Sequence, residues 1–304
     1  VFTVLSGGVG AARLLRSLRL VVDERDLTAI VNVGDDVILH GLTICPDIDT
    51  ITYTLAGMNN EETGWGRARE TWRVMDELTA LGGAAWFRLG DRDLATHLYR
   101  SQRIREGATK SDVTRELCAR WGITVNVLPA SDDDVATVFD TAAGPLSFQE
   151  YFVAHRHDID VTTISFVGVA TARPAPGVLE AIARASRVII APSNPLISIE
   201  PILQIPGVRD VLLARRDDVV AVSPLIGGEA LKGPAARLMR ELGLESTAVG
   251  VADLYRGLIG TMVIDEADAG LADDLSDRDL DVIVTTTIMS SDANARRLAS
   301  AVTS

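Results

Sequence analysis

The chain opens with VFTVLSGGVGAARLL: strand-forming residues from Val1 to Leu5, a turn carrying Gly7, Gly8 and Gly10, then an apolar segment of helical spacing from Ala11 to Leu20. A strand that breaks at glycines and runs straight into a helix is the first half of a βαβ unit. Glycines let the backbone approach another group, and the unpaired N–H groups at the helix start point towards it. The feature predicts an open α/β sheet with a ligand held where the first strand ends. No lysine follows these glycines, which excludes the Gly-Lys-Ser/Thr loop of P-loop nucleotide hydrolases. The dinucleotide fingerprint is met in part. Gly8 and Gly10 fall in place, Arg13 stands where a third small residue belongs, and Asp35 stands roughly where an acidic residue would meet a ribose.

The rest of the chain keeps this alternation. Strands are expected at Leu27–Val33, Ala85–Leu89, Thr124–Leu128, in RVIIAP ending at Pro192, and at Asp218–Val222, Thr261–Ile264 and Val282–Thr285. Helices are expected from near Asp49 to Leu55, over Gly66–Leu81, from an Asp91 cap to Arg105, from a Ser111 cap to Trp121, over Pro176–Ala185, in KGPAARLMRELGL, and in the closing DANARRLASAVTS. The texture changes between about Ser131 and Thr171, where short alternating segments sit among acidic and Gly-Pro breaks. The reading is a Rossmann-like α/β core, residues 1–130 and 172–304, with a mostly parallel sheet and helices on both faces, plus a small inserted subdomain or flap at 131–171.

Composition narrows the partners. The chain of 304 residues carries 29 basic against 42 acidic side chains, net −13, so a nucleic-acid partner is not expected. No apolar run approaches a membrane span, and Val1–Leu5 is too short for a signal peptide; a soluble, cytoplasmic protein is expected. Cys45 and Cys118 are too far apart for a metal motif and read as reduced, buried thiols. An acidic protein that binds a phosphate must compensate locally, with a cation or helix N-termini.

Several strand-end clusters offer that chemistry. VNVGDD places Asp35 and Asp36 just past the second strand, on the same edge as the glycine turn; they either cap a helix or bind a cation. CPDIDT adds Asp47 and Asp49, and a few carboxylates beside phosphate oxygens suit magnesium. In WFRLGDRDLATH, Arg88 either binds a planar or anionic ligand group or belongs to a capped helix on which Asp93 and His97 share a face. APSNPLIS supplies Ser193, Asn194 and Ser198 in a proline-stiffened turn, and SPLIGGEALKGP repeats the pattern with Gly227, Gly228 and Lys232. GWGRARETW is either a stacking wall or an exposed helix. No Ser-His-Asp spacing, zinc motif or hydride-transfer acid or base stands out.

Taken together, SGGVGAARLLRSL, VNVGDD, CPDIDTITYTLAG, GWGRARETW, WFRLGDRDLATHLYRSQRIREG, APSNPLISIEPIL, SPLIGGEALKGPAARLM and TTIMSSDANARRLA resemble the CofD/FbiA family, in the family's order and over most of the chain. The resemblance implies a magnesium-dependent, dimeric transferase of coenzyme F420 biosynthesis. Such enzymes move a phospho-carboxylate unit from a guanylylated donor to the hydroxyl of Fo, the deazaflavin alcohol, and release GMP. It implies that Asp49 and Arg88 contact Fo and that Asp35 and Asp49 hold the metal. The glycine turns (Gly7, Gly8, Val9 and Gly10 first, with Ser193, Asn194, Gly227, Gly228 and Lys232) would hold the nucleotide. Asp35, Asp36 and Asp49 are then the candidate catalytic residues, with Asp36 or Asp49 orienting the attacking hydroxyl. Gly10-Ala11 stands where the family often has Gly-Gly. The acid carried by the donor is expected to be enolpyruvate, with lactate or glycerate as alternatives. Two other readings are a non-catalytic nucleotide-sugar-binding regulator of the related gluconeogenesis-factor type and a nicotinamide dehydrogenase.

Overall fold

The computed structural model describes residues 1–304 apart from Ala85, Arg156 and Lys232. Its strands, in chain order, begin with β1 (Phe2–Ser6), β2 (Leu27–Val31), β3 (Val37–Leu39), β4 (Leu42–Ile44) and β5 (Asn126–Pro129). Next come β6 (Ala136–Thr141), β7 (Gly144–Ser147), β8 (Val161–Val167), β9 (Arg187–Ile190) and β10 (Val219–Val222). The last four are β11 (Leu225–Ile226), β12 (Glu229–Ala230), β13 (Thr261–Ile264) and β14 (Asp281–Val284). Seven of them form the central sheet in the order β14-β13-β10-β9-β1-β2-β5, and every neighbouring pair is parallel. A parallel sheet is covered on both faces, so its strands read as unbroken apolar runs. That is why LTAIV in β2, VVAV in β10 and TMVI in β13 are buried along their whole length.

Helix α1 (Gly8–Leu18) lays Ala11, Ala12, Leu14, Leu15 and Leu18 into the core. Helix α2 (Pro46–Leu55) begins three residues before the expected Asp49, with Pro46 at its first position and Asp47 and Asp49 in its first turn. Helix α3 (Arg73–Ala80) is shorter than the expected Gly66–Leu81. The preceding stretch is irregular, with Gly64, Gly66 and Arg69 at positive φ. Glu70 in that stretch accepts the N–H groups of Arg92 and Asp93, and so caps α4 (Asp91–Arg105) in place of the expected Asp91. Helix α5 (Lys110–Arg120) is capped by Thr109 in a reciprocal box with Asp112, not by Ser111. The strand expected at Ala85–Leu89 does not form: Trp86–Leu89 is irregular, and Ala85 lies outside the described residues. Phe87 and Leu89 pack instead in a satellite cluster with Ile44, Met75 and Leu94. No described helix is long and apolar enough to cross a membrane.

Two features position the site. The chain leaves β1 for β2 on one side, while β9 pairs on the other, so the strand order reverses at β1. In open α/β sheets the crevice at such a reversal is where ligands bind. A separate antiparallel sheet, in the order β7-β6-β8, carries its own aromatic cluster of Phe139, Phe148, Tyr151 and Phe152.

Candidate active site

The glycine turn sits at that reversal, and packing explains its composition. A Cβ on Gly10 would collide with the Pro192 carbonyl, and one on Gly7 would come within 2.6 Å of the Ser198 Cβ. Gly8 holds φ +64°, a left-handed backbone that a side chain disfavours. The turns after β1 and β9 are also tied directly, because the Ser193 hydroxyl donates to the Gly7 carbonyl at 2.7 Å. Sequence expects the amides of Gly7 to Gly10 to face an anion. In the structure the Gly8 N–H already donates to Asp47 Oδ1 at 2.8 Å, so the protein supplies its own carboxylate at the start of α1.

Asp47 is one member of a buried acidic group. Its Oδ2 accepts from Asn32 Nδ2 at 2.9 Å, and Asn32 Oδ1 accepts the Gly34 N–H at 2.8 Å. Burial pushes the Asp47 carboxyl up to about 6 against the hydrogen bonds from Asn32 and the Gly8 N–H. Asp35 is 4% exposed, and its Oδ1 is buried with no hydrogen-bond partner. Burial, then the charge of Asp47, holds its carboxyl well above the usual carboxylate range, and hydrogen bonding from Asn32 and Thr137 offsets only part of this. Asp36 is better compensated: Lys110 Nζ lies 3.1 Å from its Oδ2 and also donates to the Asp133 carbonyl. Burial still raises the Asp36 carboxyl, and Lys110 partly offsets this.

Asp49 is turned to a different set of partners. Arg100 grips both of its oxygens, with Nη1 at 3.1 Å from Oδ2 and Nη2 on Oδ1. Asp93, His97 and Arg100 follow at i, i+4 and i+7 on one face of α4. His97 lies between two carboxylates, Nδ1 at 3.6 Å from Asp49 and Nε2 at 3.4 Å from Asp93. The Tyr53 hydroxyl donates to Asp93 at 2.6 Å. Burial alone would lower the Arg100 pKa; the Asp49 charge more than reverses this and raises it. Asp49, Asp93 and His97 are close enough together to share one ion.

Charge and lone pairs decide what fits here. Asp35, Asp36, Asp47, Asp49 and Asp93 face Lys110, Arg100 and one histidine, so buried negative charge is in excess. Asp49, Asp93 and His97 are the group that could hold a cation among the described residues, and Asp35 adds a single buried carboxylate oxygen without a partner. Arg100 takes one lone pair on each Asp49 oxygen and leaves the other free on both.

The remaining expected residues are dispersed. Arg88 is exposed, pairs with Asp76 at 2.7 Å and rests over the Trp72 ring. Asn194 caps the following turn through Oδ1, and its Nδ2 is buried without a partner. Gly227 and Gly228, at φ 59° and 80°, form the two-residue turn of the β11–β12 hairpin; a type I′ turn demands positive φ at both positions. The Gly227 N–H is already held by Asp268. Lys232 lies outside the described residues. A cleft of about 340 Å³ opens beside Val9 and Arg13, facing Ser290, Ser291 and Asp292. It shares Arg16, Thr54 and Asn59 with a wider one of about 1090 Å³. Sequence reading missed Asn32, Arg100 and Thr137; Lys110 stood out only as one of two lysines, and Arg100 could have been found by its helical spacing from Asp93 and His97.

Residues 2–297 match the family 2-phospho-L-lactate transferase CofD. A phosphoenolpyruvate transferase from Streptomyces griseus is 45% identical over 278 residues, 90% of this chain and 87% of that protein. One from Kitasatospora aureofaciens is 47% identical and covers 87% and 84%. A third, from Mycolicibacterium smegmatis, is 43% identical and covers 86% and 85%. Among solved structures, a UPF0052 family member from Bacillus halodurans matches the fold with a TM-score of 0.66 at 15% identity, over 100% of this chain and 98% of that one.

Proposed function

Since the chain belongs to the family of 2-phospho-L-lactate transferase CofD, we propose that it moves a phosphoenolpyruvyl group from a guanosine-diphospho donor to the hydroxyl of Fo, giving a dehydro form of the F420 precursor and GMP. The alternative cargo is 2-phospholactyl. Relatives named phosphoenolpyruvate transferase, 43–47% identical over most of the chain, favour enolpyruvate. The observation that carries the reading is Asp35, a buried carboxylate with an unpartnered oxygen. It follows β2, the strand beside β1 at the reversal of strand order.

Transfer of this kind asks a protein for alignment and charge neutralisation more than for covalent chemistry. Magnesium, when bound, neutralises the diphosphate and the charge that develops on departing GMP. Asp35 is its anchor. Asp47, at the start of α2 against the glycine turn, and Asp49 would supply further carboxylates, since the hydrogen bonds each accepts leave a lone pair on every oxygen. The amides of Val9 and Gly10 at the start of α1 take the non-bridging phosphate oxygens, and the unpartnered Asn194 Nδ2 serves the nucleotide. Asp36 or Asp49 orients the Fo hydroxyl, which attacks the phosphorus bearing the acid, in line with GMP. Arg88, already stacked on Trp72, offers its guanidinium to Fo. A cytoplasmic homodimer belongs to the same reading.

Mass spectrometry of the products tests it, with Fo, Mg²⁺ and the guanylylated enolpyruvate, lactate and glycerate donors offered together. The enolpyruvyl product is expected to dominate. A lactyl product overturns the choice of acid, and binding without any product overturns the transferase.

A further inference from the structure

Building on the assignment of Asp35 to the cation, we infer that the three-stranded insertion is part of the active site, with Thr137 and Gln149 as positioning residues that hold Asp35. Both reach the Gly34-Asp35 segment from outside the central sheet. The Thr137 N–H donates to the Gly34 carbonyl at 2.8 Å. Its side chain lies over Gly34, where a Cβ would come within 2.8 Å of the Thr137 hydroxyl. That hydroxyl is buried and, with Asn32, offers hydrogen bonding to the Asp35 carboxyl that helps to hold its charge. Gln149 is 4% exposed, and its Nε2 donates to the Asp35 carbonyl at 3.2 Å.

The insertion is built to keep these two groups still. Thr137 and Phe139 share the buried face of β6, and Phe139 stacks on Tyr151 with ring centroids 4.2 Å apart. Tyr151 lies two residues beyond Gln149, so one aromatic stack braces both positioning residues. The same cluster takes in Ile197 and Leu238, which seats the insertion on the core next to the Asn194 turn. Asn32 holds the Gly34 N–H from the other side. Gly34 is conformationally free by itself. Its amide is pinned by the sheet and its carbonyl by the insertion. A ligating carboxylate depends on such outer partners for its orientation.

The test compares Thr137→Val, which keeps shape and loses the hydroxyl, with Thr137→Ser, which keeps it. Gln149→Met and Asp35→Asn complete the set. Mn²⁺ binding is followed by electron paramagnetic resonance without substrates, and the Mg²⁺ concentration for half-maximal turnover is measured alongside. Thr137→Val and Gln149→Met are expected to weaken Mn²⁺ binding about tenfold. They should raise the half-saturating Mg²⁺ similarly, with turnover at saturating Mg²⁺ kept, while Thr137→Ser behaves as wild type. Wild-type Mn²⁺ affinity in Thr137→Val, or equal loss in Thr137→Ser, overturns the proposal. Should Asp35→Asn bind Mn²⁺ as wild type does, the cation assignment falls instead. Positioning is then decided by hydrogen exchange over residues 33–37, which Thr137→Val should accelerate about fivefold if Thr137 holds the segment; unchanged exchange refutes it.

Discussion

A buried carboxylate oxygen with no donor is destabilising, and Asp35 bears that cost among other acids. Its carboxyl is raised in the folded chain, so the fold prefers its protonated form. Stability is therefore fullest below the unfolded carboxylate range and falls as pH rises towards the folded value. Asp47, pushed up to about 6, adds a loss of the same sign between about pH 4 and 6. Asp35→Asn, which removes the charge and keeps the shape, is predicted to raise the melting temperature at pH 8 without divalent ions by roughly 3 °C. The gain should shrink towards pH 4, and Mg²⁺-dependent turnover should be lost; thermal denaturation across pH measures it. Arg100 makes the opposite case. Arg100→Met strands the Asp49 charge and is predicted to cost about 3–5 kcal/mol in denaturant unfolding, much of it recovered by Asp49→Asn in the same chain. At this scale the sequence was half legible. Adjacent acids at a strand end mark Asp35 and Asp36, whereas Asp47 filling the helix start and Arg100 claiming Asp49 depend on contacts between distant segments.

Elements were read well where burial is two-sided and poorly where single contacts decide. Strands β1, β2, β9, β10 and β13 announce themselves as apolar runs because both faces are covered. The stretch before α3 misleads because its spacing looks helical, yet Glu70 spends its side chain capping α4. Trp86–Leu89 reads as a strand on apolar content, but Phe87 and Leu89 fill a side cluster rather than a sheet. The hairpin glycines Gly227 and Gly228 read as a ligand turn, and the geometry of β11–β12 accounts for them without one. Two changes gauge these elements. Glu70→Ala is predicted to cost about 1 kcal/mol by uncapping α4. Gly10→Ala, which drives a methyl at the Pro192 carbonyl, is predicted to cost about 1–3 kcal/mol. Urea unfolding checks both, and only Gly10→Ala should also weaken nucleotide binding.

For the whole molecule, a net charge of −13 repels the anionic donor the site is proposed to collect. Screening should therefore help: at constant free Mg²⁺, kcat/KM for the donor is predicted to rise about twofold between 10 and 150 mM salt. A fall in kcat/KM over that range contradicts it. The sheet order adds a constraint in time. β1 lies between β2 and β9, so the first strand is flanked on one side by a segment some 180 residues away. A ribosome moving at ordinary rates has emitted the glycine turn roughly 10–40 s before Pro192 exists to close over it. Until then the nascent chain carries an open half-crevice with its acids in water, and the ligand pocket cannot close before the turn after β9 has emerged.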